Sequence, residues 1–285
     1  MDHVTLTGIC ATFGLAILLF AGGAGVRAWF GKASVDGPPA VPQGRILVWF
    51  YRNIDLLPVG LIVAFYVVQG VSTAWMGDEM KHIDITADAL IINIGVQFFW
   101  VALVTLMVFQ RVRPVEWLGL HWRQWPWVLL GAPVTVVAMW LVFAVLYSVG
   151  YQQLMESLGV KKVQDMVEMF QKTEDESVLV LMVMMAVIVA PICEEVVFRG
   201  YLYPVLKKFS GMWMGCLVSA LIFSAAHGSF VALLPLFIFG LVLVYLYEWT
   251  GSIWAPIAVH FLFNSATVGI QLLVRFGYIS EQTLQ

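Results

Sequence analysis

Charged residues are scarce in this sequence. Asp, Glu, Lys and Arg supply 12% of its 285 residues and hydrophobic types 61%, where an ordinary soluble domain carries about 25% charged residues. Mean hydropathy is +0.89, so the composition excludes a water-soluble globular chain and places the protein in a bilayer. Cysteine is scarcer still. Cys10, Cys193 and Cys216 all stand in apolar runs, without CxxC spacing or a Cys-rich loop, which excludes a disulfide framework and leaves them as small packing residues. The net charge of −3 is spread over the polar connections, and no basic cluster is dense enough to suggest a nucleic-acid partner. HExxH, GxSxG and a Walker-type glycine loop are all missing. Internal repeats and low-complexity tracts are missing as well.

What the sequence does have is long apolar runs. About 20 residues of helix cross a ~30 Å hydrocarbon core, and eight segments are read as spans: Thr5–Ala24, Leu56–Trp75, Ala89–Phe109, Trp127–Tyr147, Val178–Phe198, Met212–His227, Phe230–Trp249 and Trp254–Phe276. The fold class expected is therefore all-α, a polytopic transmembrane helix bundle of about eight helices. The sixth span is the shortest and only Gly228-Ser229 separates it from the seventh, so one of that pair is expected to be tilted or partly re-entrant. No Lys or Arg precedes the first span, which reads as a retained helix and not as a signal peptide. Ten of the fifteen Lys and Arg residues fall in the loops after the first, third and fifth spans, among them Arg199, Lys207 and Lys208. The positive-inside rule puts those loops in the cytoplasm and both termini outside.

Between the spans, the stretch from Gly25 to Asn53 holds Gly37-Pro38-Pro39 and Pro42 and reads as a flexible linker. Between Gly150 and Ser177, Leu154, Leu158, Val163, Met166, Val167 and Phe170 recur at near-helical spacing among acidic and basic residues, as in an interfacial amphipathic helix. Trp117, Trp122, Trp125, Trp127, Trp249 and Trp254 flank span ends and read as interfacial anchors.

The exception to this apolar pattern is Pro191-Ile192-Cys193-Glu194-Glu195-Val196-Val197-Phe198-Arg199-Gly200. A charge at membrane depth costs roughly 3 kcal/mol even on the mildest scale unless it is paired or hydrated, so an intramembrane carboxylate marks a functional site. On a helix Glu195 and Arg199 share a face, while Glu194 points about 100° away. Glu195 is thus expected to pair with Arg199, leaving Glu194 free to act as a base. Pro191 lacks an N–H and should bend the helix just ahead of the acids.

Two further polar intrusions follow. His227 ends the sixth span, where it is suited to share a water with Glu194 and to move its proton near neutral pH. His260 and Asn264 stand four residues apart in the last span and form a candidate donor pair for a developing oxyanion. The same residues leave other chemistry open. Glu194, His227 and His260 are a possible carboxylate-plus-two-imidazole set for a divalent metal such as zinc. Ser224 near His227 lacks an evident orienting carboxylate for a nucleophilic role. A purely structural polar cluster, or an ion pathway, remains the bland alternative.

Together, Glu194-Glu195-x-x-x-Arg199, Phe223-x-x-x-His227 and His260-x-x-x-Asn264, in this order and in apolar helices, resemble the CAAX protease and bacteriocin-processing (CPBP) family, which includes the Ras-converting CAAX endoproteases. The resemblance covers Val178 to Phe276. It divides the chain into 1–177, N-terminal transmembrane helices with their loops and the interfacial helix; 178–276, a catalytic helical core; and 277–285, a tail. It implies an intramembrane endopeptidase in which Glu194 and His227 activate water, His260 and Asn264 stabilise the oxyanion, and Glu195 and Arg199 hold the site together. It implies no obligatory cofactor, with zinc as the alternative. The implied partners are the lipid bilayer and a peptide or membrane-protein substrate, prenylated C-a-a-X tails among them. It implies a multi-pass protein of the cell (plasma) membrane if the source is prokaryotic. A catalytically inactive scaffold or immunity protein, and a transporter, are the competing classes.

Overall fold

The computed structural model describes residues 3–33, 44–76, 86–121, 125–160, 170 and 173–280. Within them the chain is helical and no strand occurs. The helices are α1 (His3–Ala33), α2 (Leu56–Met76), α3 (Ala87–Val108), α4 (Pro114–Trp117), α5 (Trp125–Ser148), α6 (Tyr151–Ser157), α7 (Glu176–Ser210), α8 (Met212–Ala226), α9 (Phe230–Thr250) and α10 (Trp254–Arg275). A lipid solvent offers backbone groups no partner, so each segment must satisfy its own N–H and C=O groups, and a helix does so. Seven of these helices, namely α1, α2, α3, α5, α7, α9 and α10, are long and apolar enough to cross a membrane. Their outer faces carry exposed Leu18, Ile92, Leu130 and Val134, as lipid-facing surfaces do. The protein is an integral, multi-pass membrane protein.

The eighth apolar segment, α8, has 15 residues. At 1.5 Å per residue it reaches only about 22 Å, short of a ~30 Å core. It begins at Gly211, whose φ of +91° is open to glycine and strained for other residues. That single residue turns the chain back from α7 into α8.

α7 is the central element, packing against α1, α3, α8, α9 and α10. Phe198, Tyr201, Leu202 and Val205 on α7 share one core with Phe13 of α1, Ile62 of α2, Val104 of α3, Phe223 of α8, Phe239 of α9 and Phe263 of α10.

Three sequence expectations change here. First, the loop expected after Phe198 is helix: α7 continues to Ser210, and Arg199 and Lys207 are buried in it. Each has a carboxylate partner, Glu195 for Arg199 and Glu248 of α9 for Lys207, so the charges can stay inside. Second, the end of the supposed linker is docked. Ile46, Phe50 and Tyr51 are buried, and the N–H groups of Arg45 and Ile46 donate to Oε2 of Glu248 at 2.7 and 3.2 Å. Tyr203 O–H and Lys207 Nζ donate to the other oxygen of Glu248. Third, Trp117 is no interfacial anchor: it is buried and hydrogen-bonded, as described below. Trp125, Trp127, Trp249 and Trp254 are exposed beside helix ends as expected. The Pro-rich residues of the linker, Trp122, and Val163, Met166 and Val167 of the proposed amphipathic segment lie outside the described residues; the first turns of that segment form α6.

Candidate active site

The site is built on an irregular stretch of α7. Pro191 lacks an N–H, and its ring would collide with the carbonyl four residues back. The helix responds by widening. Met185–Val189 form a π turn in which the N–H of Ala190 bonds to the carbonyl of Met185, five residues away. After five α-helical residues, Ala190–Glu194, a second π segment runs from Glu195 to Leu202. The two carboxylates therefore lie at the junction of regular and widened helix, an arrangement frequent at functional sites.

Glu194 and Glu195 face different neighbours. Glu195 is fully buried, and its Oε1 accepts hydrogen bonds from Arg199 Nη1 and from His260 Nδ1, both at 2.8 Å. The Arg199 guanidinium stacks over the Phe223 ring at 4.1 Å, a cation–π contact worth about 2 kcal/mol when shielded from water. Phe223 also edges the rings of His227 and His260, at 4.7 and 6.0 Å between centroids. One aromatic side chain thus holds three of the polar groups in place.

Glu194 stands apart, with Oε2 3.8 Å from Nε2 of His227. That oxygen is buried and has no hydrogen-bond partner. His227 closes the C-terminus of α8, and its Nδ1 lies 2.8 Å from the carbonyl of Phe223. A carbonyl can only accept, so Nδ1 carries the hydrogen and Nε2 presents a lone pair towards Glu194 when the ring is neutral. The shortness of α8 explains how a residue at its C-terminal end meets one midway along α7: α8 stops at the depth of Glu194.

Asn264 of α10 sits one turn beyond His260, and its Nδ2 donates to the carbonyl of Ala186 at 2.8 Å. All six residues singled out from the sequence thus lie on α7, α8 and α10. They form two linked groups: Glu194 with His227, and Glu195 with Arg199 and His260. Asn264 joins α10 to the first π turn. No three His, Cys, Asp or Glu side chains among the described residues are grouped to hold a metal ion, so the set Glu194, His227 and His260 does not form a ready three-ligand site.

Residues that sequence reasoning missed support α7 from its far end. The Gly200 carbonyl accepts from Tyr51 O–H and Trp117 Nε1, both at 2.8 Å. Tyr201 O–H donates to Oδ1 of buried Asp55 at 3.0 Å, and Arg111 pairs with the other oxygen of Asp55 at 2.6 Å.

Residues 176–266, which span α7, α8, α9 and the first half of α10, match the family described as type II CAAX prenyl endopeptidase Rce1-like. An uncharacterized 24.3 kDa protein of Escherichia coli is 31% identical over 162 residues, covering 53% of this chain and 72% of that protein. The chain belongs to this CAAX-type membrane protease family. YdiL of Bacillus subtilis (strain 168), by name a candidate membrane peptidase, is 32% identical over 105 residues, 37% of this chain. The match spans 43% of the length of YdiL. No solved structure matches significantly. The family match takes in all six site residues and stops short of Tyr51, Asp55, Arg111 and Trp117.

Proposed function

We propose that this protein is an intramembrane endopeptidase that hydrolyses a peptide bond with a water molecule activated between Glu194 and His227. The observation that carries the reading is the facing pair itself: an unpartnered Glu194 Oε2 opposite a His227 Nε2 whose other ring nitrogen is fixed by the Phe223 carbonyl. At 3.8 Å the two atoms are too far apart for a strong direct bond and can share a water.

In the first step Glu194 takes a proton from that water as its oxygen attacks the scissile carbonyl carbon, and the C=O electron pair moves to oxygen. His260, held by Glu195 through Nδ1, would meet the oxyanion with its other ring nitrogen when that nitrogen carries a hydrogen. In the second step the oxyanion collapses, the C–N bond breaks, and the proton held by Glu194 or His227 passes to the leaving amine. General acid–base catalysis of this kind contributes about 10²–10⁴-fold. Arg199 and Glu195 touch no reacting atom and act by orienting His260. No step is assigned to a metal; with Glu194 as the base, a metal ligand set would leave that role empty.

The substrate class proposed is a peptide or membrane-protein segment met in the bilayer, with prenylated C-a-a-X tails as the form suggested by the family. The test is mass spectrometry of a peptide library, including farnesylated C-a-a-X tails, incubated in proteoliposomes with wild-type protein and Glu194→Gln. The near-isosteric change should lower turnover by at least ~10²-fold with the thermal midpoint unchanged. Equal turnover by the variant would overturn the assignment of Glu194, and elemental analysis of the active protein would expose a stoichiometric metal.

A further inference from the structure

In the first π turn the Ala190 N–H bonds to Met185 rather than to Ala186. In the same register, the carbonyl of Ala186 would be paired by the N–H of residue 191. That residue is proline and has no N–H. A backbone carbonyl left bare inside a bilayer is costly, because lipid supplies no donor. The donor it receives is Nδ2 of Asn264, at 2.8 Å, from a different helix.

We propose that Asn264 is a positioning residue: its amide stands in for the N–H that Pro191 lacks, and so fixes the widened turn that aims Glu194 at His227. This inference rests on the endopeptidase reading and gives Asn264 a task other than binding the oxyanion. Two features make the connection more than a local repair. Ala186 lies two helical turns before Glu194, so a shift of register there rotates and displaces the carboxylate. Asn264 shares a helix face with His260, which bonds to Glu195. The same face of α10 therefore grips α7 on both sides of Pro191, at Ala186 and at Glu195. A displacement of about 1 Å at a reacting group can cost on the order of 10²-fold in rate.

The experiment is a double-mutant cycle between Asn264→Ala and Pro191→Ala, with Pro191→Ser as a second background that also restores the N–H. Each variant is purified in detergent, its thermal midpoint measured, and kcat and KM determined in proteoliposomes on the best substrate from the peptide screen. With Pro191 present, Asn264→Ala should lower the midpoint and reduce kcat about 10²-fold with KM little changed. With Ala or Ser at 191, the same change should cost less than ~5-fold in kcat and leave the midpoint nearly unmoved, because the backbone then pairs Ala186 itself. An equal loss of kcat in both backgrounds would overturn the proposal and place Asn264 on the reacting atoms, even if the midpoints were coupled. Wild-type protein that cleaves nothing would sink the endopeptidase reading instead. The thermal cycle would still decide whether the amide replaces the proline's missing donor, since uncoupled midpoints would refute it.

Discussion

Adjacent glutamates in the same helix stand in different surroundings because of what each one faces. Glu195 is bonded by Arg199 and His260 and is fully buried, whereas Glu194 keeps a free oxygen opposite His227. Substitutions should separate them. Arg199→Ala leaves Glu195 buried with one partner fewer and strips the stacked cation from Phe223, and removing one side of a buried pair costs about 3–5 kcal/mol. A clear fall in thermal midpoint and in yield is expected for that variant, read by size-exclusion chromatography after heating, in contrast to Glu194→Gln. A midpoint equal to wild type would mean that Arg199 does not neutralise Glu195. At this scale the sequence was highly legible. A carboxylate, a guanidinium or an imidazole inside an apolar run announces itself by its cost, and helical spacing separates the faces of Glu194 and Glu195. Trp117 was misread because an indole near a span end looks the same whether it anchors to headgroups or donates to Gly200. Lys207 was counted in a loop because its partner, Glu248, lies 41 residues away.

Elements explain why those side chains meet. α8 lies against α7 so closely that a Cβ added at Gly215 would come within 2.7 Å of the backbone nitrogen and 2.8 Å of the Cα of Lys207. Backbone cannot yield as a side-chain tip can, and small residues at such contacts are how membrane helices approach each other. Gly215→Leu should push α8 away from α7 and carry His227 off Glu194, with turnover falling well over ten-fold. A disulfide-trapping assay between cysteines introduced on the two helices would show the lost proximity, and unaltered trapping and activity would contradict the close packing. The positions of the spans were readable from hydropathy, though α1 and α7 run on past the expected ends at Ala24 and Phe198, and Pro191 signalled the disturbance before the acids. The π register was not readable. It leaves no mark on composition or period, since it depends on which carbonyl a missing N–H abandons and on Asn264 arriving from another helix to take it.

On the scale of the molecule, the site helix is secured by parts of the chain far from the motifs. Tyr51 and Trp117 converge on Gly200, Asp55 and Arg111 hold Tyr201, and Glu248 joins the docked segment at Arg45 and Ile46 to Lys207. The glycine and prolines of residues 37–42 dominated the reading of that region, and the buried Ile46, Phe50 and Tyr51 just beyond them carry no motif. A fragment of residues 174–280 contains all six site residues yet lacks these supports. It is expected to aggregate or lose its thermal transition in detergent, and to recover when co-expressed with residues 1–173. A fragment that is folded and monodisperse alone would show that the supports are dispensable.

The turn at Gly211 has a metric consequence. Seventeen residues lead from Glu194 to that glycine and sixteen lead from it to His227, so α7 and α8 act as the two arms of a caliper whose jaws are the acid and the imidazole. Because the arms are of nearly equal length the jaws close at one level, about 25 Å from the elbow at 1.5 Å per residue, and a change in the length of either arm would part them.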